Sequence, residues 1–141
     1  MPKPSIRFFC EDVDFKLKNS KKSILWIKSS ILAEGKAPGD INFIFCSDIH
    51  LLQMNIEYLQ HNTYTDIITF DTSEEEDIIS GDIFISIDRV RDNATTFKKE
   101  MDNELHRVII HGVLHLIGYS DKTTNKKSIM RRKEDAYLSL L

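Results

Sequence analysis

The order of apolar and polar residues changes its period several times along the chain, and each change predicts a new element. Four short apolar runs, rich in β-branched and aromatic residues, are typical of strands. Elsewhere apolar residues recur three or four positions apart, as they do on one face of a helix. The pattern predicts strands over residues 5–10, 40–46, 66–71 and 83–87, and helices over residues 20–34, 47–59, 88–98 and about 102–117, with a last helix near residues 129–141.

Helix ends and inward faces follow from the same pattern. Asn19 or Ser20 is expected to cap the first helix, Ser47 the second, and Asp102 or Asn103 the fourth. Residues 37–39 are predicted to form a turn, and the acidic stretch 72–80 a loop. On the first helix Ile24, Ile27, Ile31 and Leu32 are predicted to face inward, with Leu25 and Trp26 widening the apolar stripe. The corresponding residues are Ile49, Leu52, Ile56 and Leu59 on the second helix, and Val90, Ala94 and Phe97 on the third.

Two elements are apolar on more than one face, which predicts where the core lies. The strand 40–46 is apolar almost throughout, as central strands buried on both faces are. The fourth helix is apolar nearly all round, as buried helices are. We therefore predict an α+β fold in one domain over residues 1–141. It has a small mixed four-stranded sheet covered by about five helices, with a central buried helix.

Composition adds little to the functional picture. Of the 141 residues, 41% are hydrophobic and 29% are charged, which are ordinary values for a globular protein, and the net charge of −3 does not itself indicate a nucleic-acid partner. The first residues lack the apolar segment of a signal peptide, and no apolar stretch is long enough to cross a membrane. Cys10 and Cys46 are predicted to be buried, reduced thiols in strands, so we expect a cytoplasmic protein.

The fourth helix carries the candidate chemistry. His111 and His115 are four residues apart, so their imidazoles lie one turn apart on one helical face and could bind one metal ion. Gly118 is placed where a helix would end in a left-handed turn, and the chain then offers Asp121 as a third ligand. Two nitrogens, one oxygen and an open position are typical of catalytic zinc. The predicted fold, with the metal-binding histidines on its central buried helix, is therefore zincin-like. Histidines on an apolar face are also often ordinary core residues, and this alternative stays open.

Residues 111–121, HGVLHLIGYSD, resemble the His-Gly-x-Leu-His-Leu-x-Gly-Tyr-Asp-His signature of the YbeY family. Members of that family are bacterial single-strand-specific metallo-endoribonucleases that mature ribosomal RNA. Two positions depart from the signature: Ser120 replaces an aspartate, and Asp121 replaces the third histidine ligand. Because carboxylate oxygen also binds zinc, the second change is expected to retune the site and not to abolish it.

The resemblance covers most of the chain from residue 42 onward. The segments 55–58 and 65–70 resemble a family block of the form Asn-x-x-Tyr-Arg followed by Thr-Asp-Val-Leu-Ser-Phe, and residues 81–83 match its Gly-Asp-Ile strand. Met130 and Glu134 fit its C-terminal helix. The arginine that the family places near the metal and the phosphate is Leu59 here, and His61 is the nearby residue that could replace it as a donor.

A basic run begins directly after Asp121. Residues 122–133 contain six lysines and arginines and no acid. If this segment is helical, Lys127 and Arg131 share one face, with Arg132 near it, and we predict that these three residues bind nucleic acid. A solvated helix face is the alternative interpretation of such a run.

The resemblance implies an enzyme that cleaves phosphodiester bonds in single-stranded RNA with one Zn²⁺ per chain. It further implies a role in 16S rRNA 3′-end maturation and ribosome quality control, with precursor rRNA and ribosomal particles as partners. The attacking group would be water activated by the metal or the ribose 2′-hydroxyl. A metzincin-type metalloprotease is the second hypothesis, although Gly112 stands where such proteases carry a glutamate base. A non-catalytic zinc protein of ribosome assembly is the third.

Overall fold

The computed structural model describes residues 4–141. Its elements confirm the predicted α+β class, with four strands and five helices among the described residues. In chain order they are β1 (Ile6–Cys10), α1 (Ser20–Ala33), β2 (Ala37–Cys46), α2 (Asp48–Leu59), β3 (Ile67–Asp71), β4 (Ile78–Ser86), α3 (Ile87–Thr96), α4 (Met101–Ile117) and α5 (Thr124–Leu138).

The four strands form one mixed sheet in the order β1-β2-β4-β3. The pairs β1–β2 and β2–β4 are parallel, and β3 pairs with β4 in the antiparallel direction. Within the sheet β2 has a neighbour on each side, and Phe43, Ile44, Phe45 and Cys46 are all buried. The prediction of a central strand buried on both faces is therefore confirmed.

Helix α4 packs on one face of this sheet and is buried along most of its length, as predicted. The approach is close at Gly112, where an added Cβ would lie 2.8 Å from Ile67 Cδ1 and 3.0 Å from Ile83 Cγ2. Any larger residue at this position would push the helix off β3 and β4. Gly112 thus sets the depth at which α4 lies, and with it the position of the histidines that the helix carries.

The second helix covers the opposite face of the sheet, but with a different side inward from the one predicted. Leu51 and Asn55 are the buried residues of α2, whereas Ile49, Ile56 and Leu59 are exposed. The amide of Asn55 donates to the carbonyl oxygen of Thr63 at 2.8 Å, so this polar side chain is satisfied inside the protein. A search for apolar periodicity cannot find an inward face that includes a hydrogen-bonded asparagine.

Two strands begin earlier than predicted, in segments that were expected to be a turn and a loop. β2 starts at Ala37 and β4 at Ile78, and the register of the pair shifts between Pro38 and Ile41. Proline and glycine are tolerated in a strand at such an irregularity. Gly39 is also close-packed there, since an added Cβ would overlap the Ser80 hydroxyl.

The predicted caps are partly wrong. Ser47 does cap α2, accepting a hydrogen bond from the His50 amide, but Asn19 makes no side-chain cap and takes a left-handed conformation. Helix α4 begins at Met101, so Asp102 lies inside its first turn and not at its cap. A carboxylate in the first turn still stabilises the helix through its dipole.

Four further residues that were predicted to be buried are exposed, namely Cys10, Leu25, Leu32 and Phe97. Cys46 is buried, and burial raises the pKa of its thiol to about 12, but Cys10 is exposed. Helix α3 buries Val90 and Ala94 as predicted, whereas Phe97 is 61% exposed. Within residues 4–141, none of the helices has the length and apolar character needed to cross a membrane.

Candidate metal centre

Helix α4 and the turn after it bring His111, His115 and Asp121 together. The two histidines lie one turn apart near the end of the helix, which stops at Gly118 with φ +126°. The amides of Gly118 and Tyr119 both donate to the carbonyl oxygen of Leu114, and these bonds turn the chain back toward the histidines. The glycine turn predicted from the sequence is therefore the element that returns Asp121 to the helix.

The donor atoms are spaced as ligands of one ion would be. His111 Nε2 lies 3.0 Å from His115 Nε2, and Asp121 Oδ2 lies 3.5 Å and 3.6 Å from these two nitrogens. Donors in a tetrahedral zinc site, at 2.0–2.2 Å from the metal, lie about 3.3–3.5 Å from one another. The three atoms all fall within 4.8 Å, and the residues are partly open to solvent. The donor set and its spacing thus fit a divalent metal ion.

Glu134 on α5 contacts the second ring nitrogen of His111. Its Oε2 lies 2.6 Å from His111 Nδ1, and its Oε1 accepts from Arg107 at 2.9 Å. The Glu134 side chain is only 5% exposed. A carboxylate that is hydrogen-bonded to the second nitrogen of a ligating histidine sets the tautomer and raises the basicity of the ligating nitrogen. Sequence reasoning placed Glu134 on the last helix but gave it no role, because a separation of 23 positions along the chain hides the pairing with His111.

The two histidines have different protonation preferences. Burial lowers the pKa of His111, but the Glu134 carboxylate, together with Asp66 and Asp121, outweighs burial, and the net effect is a raised pKa. Burial and the neighbouring His111 lower the pKa of His115. Metal binding requires neutral imidazoles, so a bound ion would compete with a proton mainly at His111.

His111 and Asp121 line a cleft of about 570 Å³, whereas His115 is not among the described residues of its wall. Its wall includes two acids that sequence reasoning missed, Asp66 and Glu104, and burial raises the pKa of both carboxyls. Asp66 lies in the segment 65–70 that resembles a family block, but the resemblance gave it no role, and no local motif marks Glu104. The full lining is Asp66, Asn93, Phe97, Glu104, Arg107, Val108, His111, Asp121, Thr124, Lys127, Ser128, Met130, Arg131 and Glu134.

The predicted nucleic-acid-binding residues divide into two groups. Lys127 and Arg131, four residues apart on α5, both line the cleft. Arg132 is exposed, and it is not among the described residues that line the cleft. Leu59 and His61 are also exposed, and neither is among the described residues that line the cleft. His61, which was considered a substitute for the family arginine, therefore does not line this cleft.

The position that would carry the base of a metzincin-type protease faces away from the candidate metal site. Gly112 points into the sheet, against Ile67 and Ile83. A glutamate at this position would be buried among apolar side chains and would not reach a bound substrate. The helix packing therefore argues against a protease of that type, beyond the absence of the glutamate itself.

A second carboxylate anchors the turn that carries Asp121. Glu34, at the end of α1, accepts hydrogen bonds from the Tyr119 hydroxyl at 2.5 Å, the Lys133 ammonium at 3.0 Å and the Tyr137 hydroxyl. Its side chain is 7% exposed. Tyr119 lies two residues before Asp121, so Glu34 ties the turn to both α1 and α5.

We expect Glu34→Gln to destabilise the protein by about 1–3 kcal/mol at neutral pH, because hydrogen bonds to a charged acceptor are replaced by weaker ones. Burial alone would raise the pKa of Glu34, but its three donors outweigh burial and lower it below the ordinary value of 4.5. The stability that the carboxylate contributes is thus present above pH 4.5 and is lost as the pH falls through the lowered value.

Urea unfolding of the metal-free protein at a series of pH values tests this prediction. The difference between wild type and Glu34→Gln should be constant near neutral pH and should shrink in acid. Glu57→Gln, at an exposed position of α2, is the matched control and should change little. A difference that does not depend on pH would contradict the role of the charge.

Comparisons with known proteins agree with this geometry. A family model described as endoribonuclease YbeY matches residues 6–141. A protein of that name from Cytophaga hutchinsonii is 51% identical over 99% of this chain and 98% of its own length, and one from Amoebophilus asiaticus is 49% identical over 98% and 94%. The solution structure of TM1509 from Thermotoga maritima superposes with a TM-score of 0.67 at 27% identity, covering 96% of this chain and 87% of that one. The chain therefore belongs to the endoribonuclease YbeY family.

Proposed function

We propose that this protein is a zinc-dependent endoribonuclease that cleaves single-stranded RNA. The observation that carries the proposal is the convergence of His111, His115 and Asp121 beside a cleft that His111 and Asp121 line, in a chain whose relatives are named endoribonucleases. From the resemblance of the sequence motifs, we assign its action to 16S rRNA 3′-end maturation and ribosome quality control. Its partners would then be precursor rRNA and ribosomal particles, in the cytoplasm, and residues 1–141 would act as one domain.

Zinc is the proposed metal because two imidazoles and one carboxylate, with a fourth position open, match the ligand sets of catalytic zinc sites. The hydrogen bond between Glu134 and His111 supports the same choice, since zinc-ligating histidines usually have such a partner on their other nitrogen. When bound, one zinc ion per chain would polarise a phosphoryl oxygen as a Lewis acid and would make water more acidic.

The charges of the cleft support an anionic substrate only when a cation is bound. Four acids and three bases line the cleft, so their formal charges sum to −1, and a divalent ion changes the sum to +1. The low dielectric of a partly enclosed cleft strengthens this effect. We therefore expect RNA to bind more tightly to the metal-loaded protein than to the metal-free protein.

Each remaining role belongs to a residue of this chain. Glu134 orients His111, and the Arg107 guanidinium holds the Glu134 carboxylate in place through its hydrogen bond at 2.9 Å. Lys127 and Arg131 are in position to bind phosphates next to the one that is cleaved. A local cleft suits a single strand, whose backbone can bend into it and whose bases are free of partners.

Metal removal and restoration test the proposal. The purified protein is stripped with a chelator, and its cleavage of an unstructured RNA, the matching RNA duplex and casein is measured before and after zinc is added. We expect cleavage of the single strand alone, lost on stripping and restored by zinc. Casein hydrolysis would support the metzincin-type alternative. Metal binding without hydrolysis of any of the three would support the non-catalytic alternative and would overturn the proposal.

Salt dependence tests the cationic face of α5. Replacing both Lys127 and Arg131 with glutamine is expected to weaken RNA binding and to flatten the salt slope by about 0.7 for each phosphate that is no longer neutralised. Arg132→Gln is the control on the same helix, because Arg132 lies outside the cleft, and it should have a smaller effect. Zinc content should not change in either variant. An unaltered salt slope in the double variant would place the RNA on another surface.

A further inference from the structure

Phe97 is the aromatic residue at the rim of the cleft. It directly follows α3, its side chain is 61% exposed, and it lines the same cleft as His111 and Asp121. Among residues 4–141 it belongs to neither of the two apolar clusters that form the core. An exposed phenyl ring forgoes the stabilisation that burial would give it, so packing of the fold does not account for its position.

The surroundings of Phe97 suit one kind of ligand. Lys127 and Arg131 line the same cleft from α5, so the cleft combines an exposed aromatic ring, cationic groups and the candidate metal ligands. Proteins that hold single-stranded nucleic acid combine the same parts, because the bases stack on aromatic rings while cations contact the phosphates. An apolar ring alone would be compatible with many partners, but the cationic Lys127 and Arg131 in the same cleft favour a nucleotide chain.

A second cavity adjoins the cleft at Phe97. It is about 370 Å³ in volume and shares Phe97, Glu104, Arg107 and Arg131 with the first, and its further charged residues are Lys99 and Asp135. Phe97 therefore lines two adjacent cavities, each of which has a basic side chain in its wall. A strand that occupies both cavities would run alongside the ring.

We infer that Phe97 is a stacking platform for one base of the bound RNA, next to the nucleotide whose phosphate lies at the metal centre. This inference rests on the proposed function and adds a base-binding residue to it. Stacking on a single aromatic ring does not select among bases, so Phe97 contributes affinity and register and not sequence specificity.

Substitutions at Phe97 test the inference through cleavage kinetics of an unstructured RNA by the zinc-loaded protein. Phe97→Ala is expected to raise KM by about five- to hundredfold, with a smaller change in kcat. Phe97→Tyr should keep the wild-type KM, whereas Phe97→Leu, which keeps the apolar side chain but has no ring, should behave like alanine. The matched control is Phe9→Ala, since Phe9 is 47% exposed on β1, the opposite edge strand from β3.

Abasic RNAs identify the stacked base directly. One base at a time is removed from the RNA, and each RNA is assayed with wild type and Phe97→Ala. At one abasic position, the KM of wild type should rise as much as the Phe97→Ala substitution raises it on the intact RNA. The KM of Phe97→Ala should not rise further on that abasic RNA.

The outcomes separate this inference from the proposed function. Efficient RNA cleavage by Phe97→Ala with a wild-type KM, or additive losses at every abasic position, would overturn the stacking role and leave the proposed function intact. An equal loss in Phe97→Tyr would show that the ring itself is not recognised, and it would also overturn the inference. If zinc-loaded wild type neither binds nor cleaves RNA, both proposals fail.

Discussion

Replacing His111 with alanine is expected to remove the bound metal and to lower RNA cleavage by about a thousandfold. The magnitude follows from the several kcal/mol of transition-state stabilisation that a catalytic metal supplies. His115→Ala should have the same effect, because each histidine supplies one of only two nitrogens in the cluster. Asp121→Ala should also weaken metal binding, because Asp121 supplies the third donor of the cluster. Metal analysis of the purified variants, together with cleavage of an unstructured RNA, measures both quantities.

The control for these variants is His50→Ala. His50 lies on α2, outside the cleft, so its loss should leave metal content and cleavage unchanged. Circular dichroism should show that all variants are folded, since His111 and His115 are only partly buried. Full metal content in His111→Ala would contradict the proposed site. Full metal content in Asp121→Ala would remove only that residue from the ligand set.

Gly112→Glu is expected to destabilise the fold by about 3–5 kcal/mol, which is typical of a buried charge without a partner. The new side chain would have to enter the packed layer between α4 and the sheet, where even a Cβ would lie 2.8 Å from Ile67 Cδ1. A shift of α4 to make room would also displace His111 and His115. Urea unfolding measures the decrease in free energy of unfolding, and metal content measures the displacement.

This substitution also tests the protease alternative, because it restores the glutamate that metzincin-type proteases carry after the first histidine. A stable Gly112→Glu protein that hydrolyses casein would contradict the packing argument. Ser29→Glu is the matched control, since Ser29 is exposed in the middle of α1, and it should change stability by less than about 0.5 kcal/mol.

The sequence by itself determined the features that depend on neighbouring residues. Strand and helix order, the buried character of α4 and the central position of β2 all follow from local periodicity. The convergence of His111, His115 and Asp121 follows as well, because helical spacing and one glycine turn relate all three residues within a short segment. The family motifs added an expected fold and activity to that local geometry.

Only the tertiary structure decided the features that depend on residues far apart in the chain. The inward face of α2 depends on the bond between Asn55 and Thr63, and the role of Glu134 depends on how α5 packs against α4. The exposure of Phe97 follows from where α3 ends beside the cleft, and not from its apolar character. Periodicity reports which residues are apolar, but burial and contact are set by the partner that packing brings to each side chain.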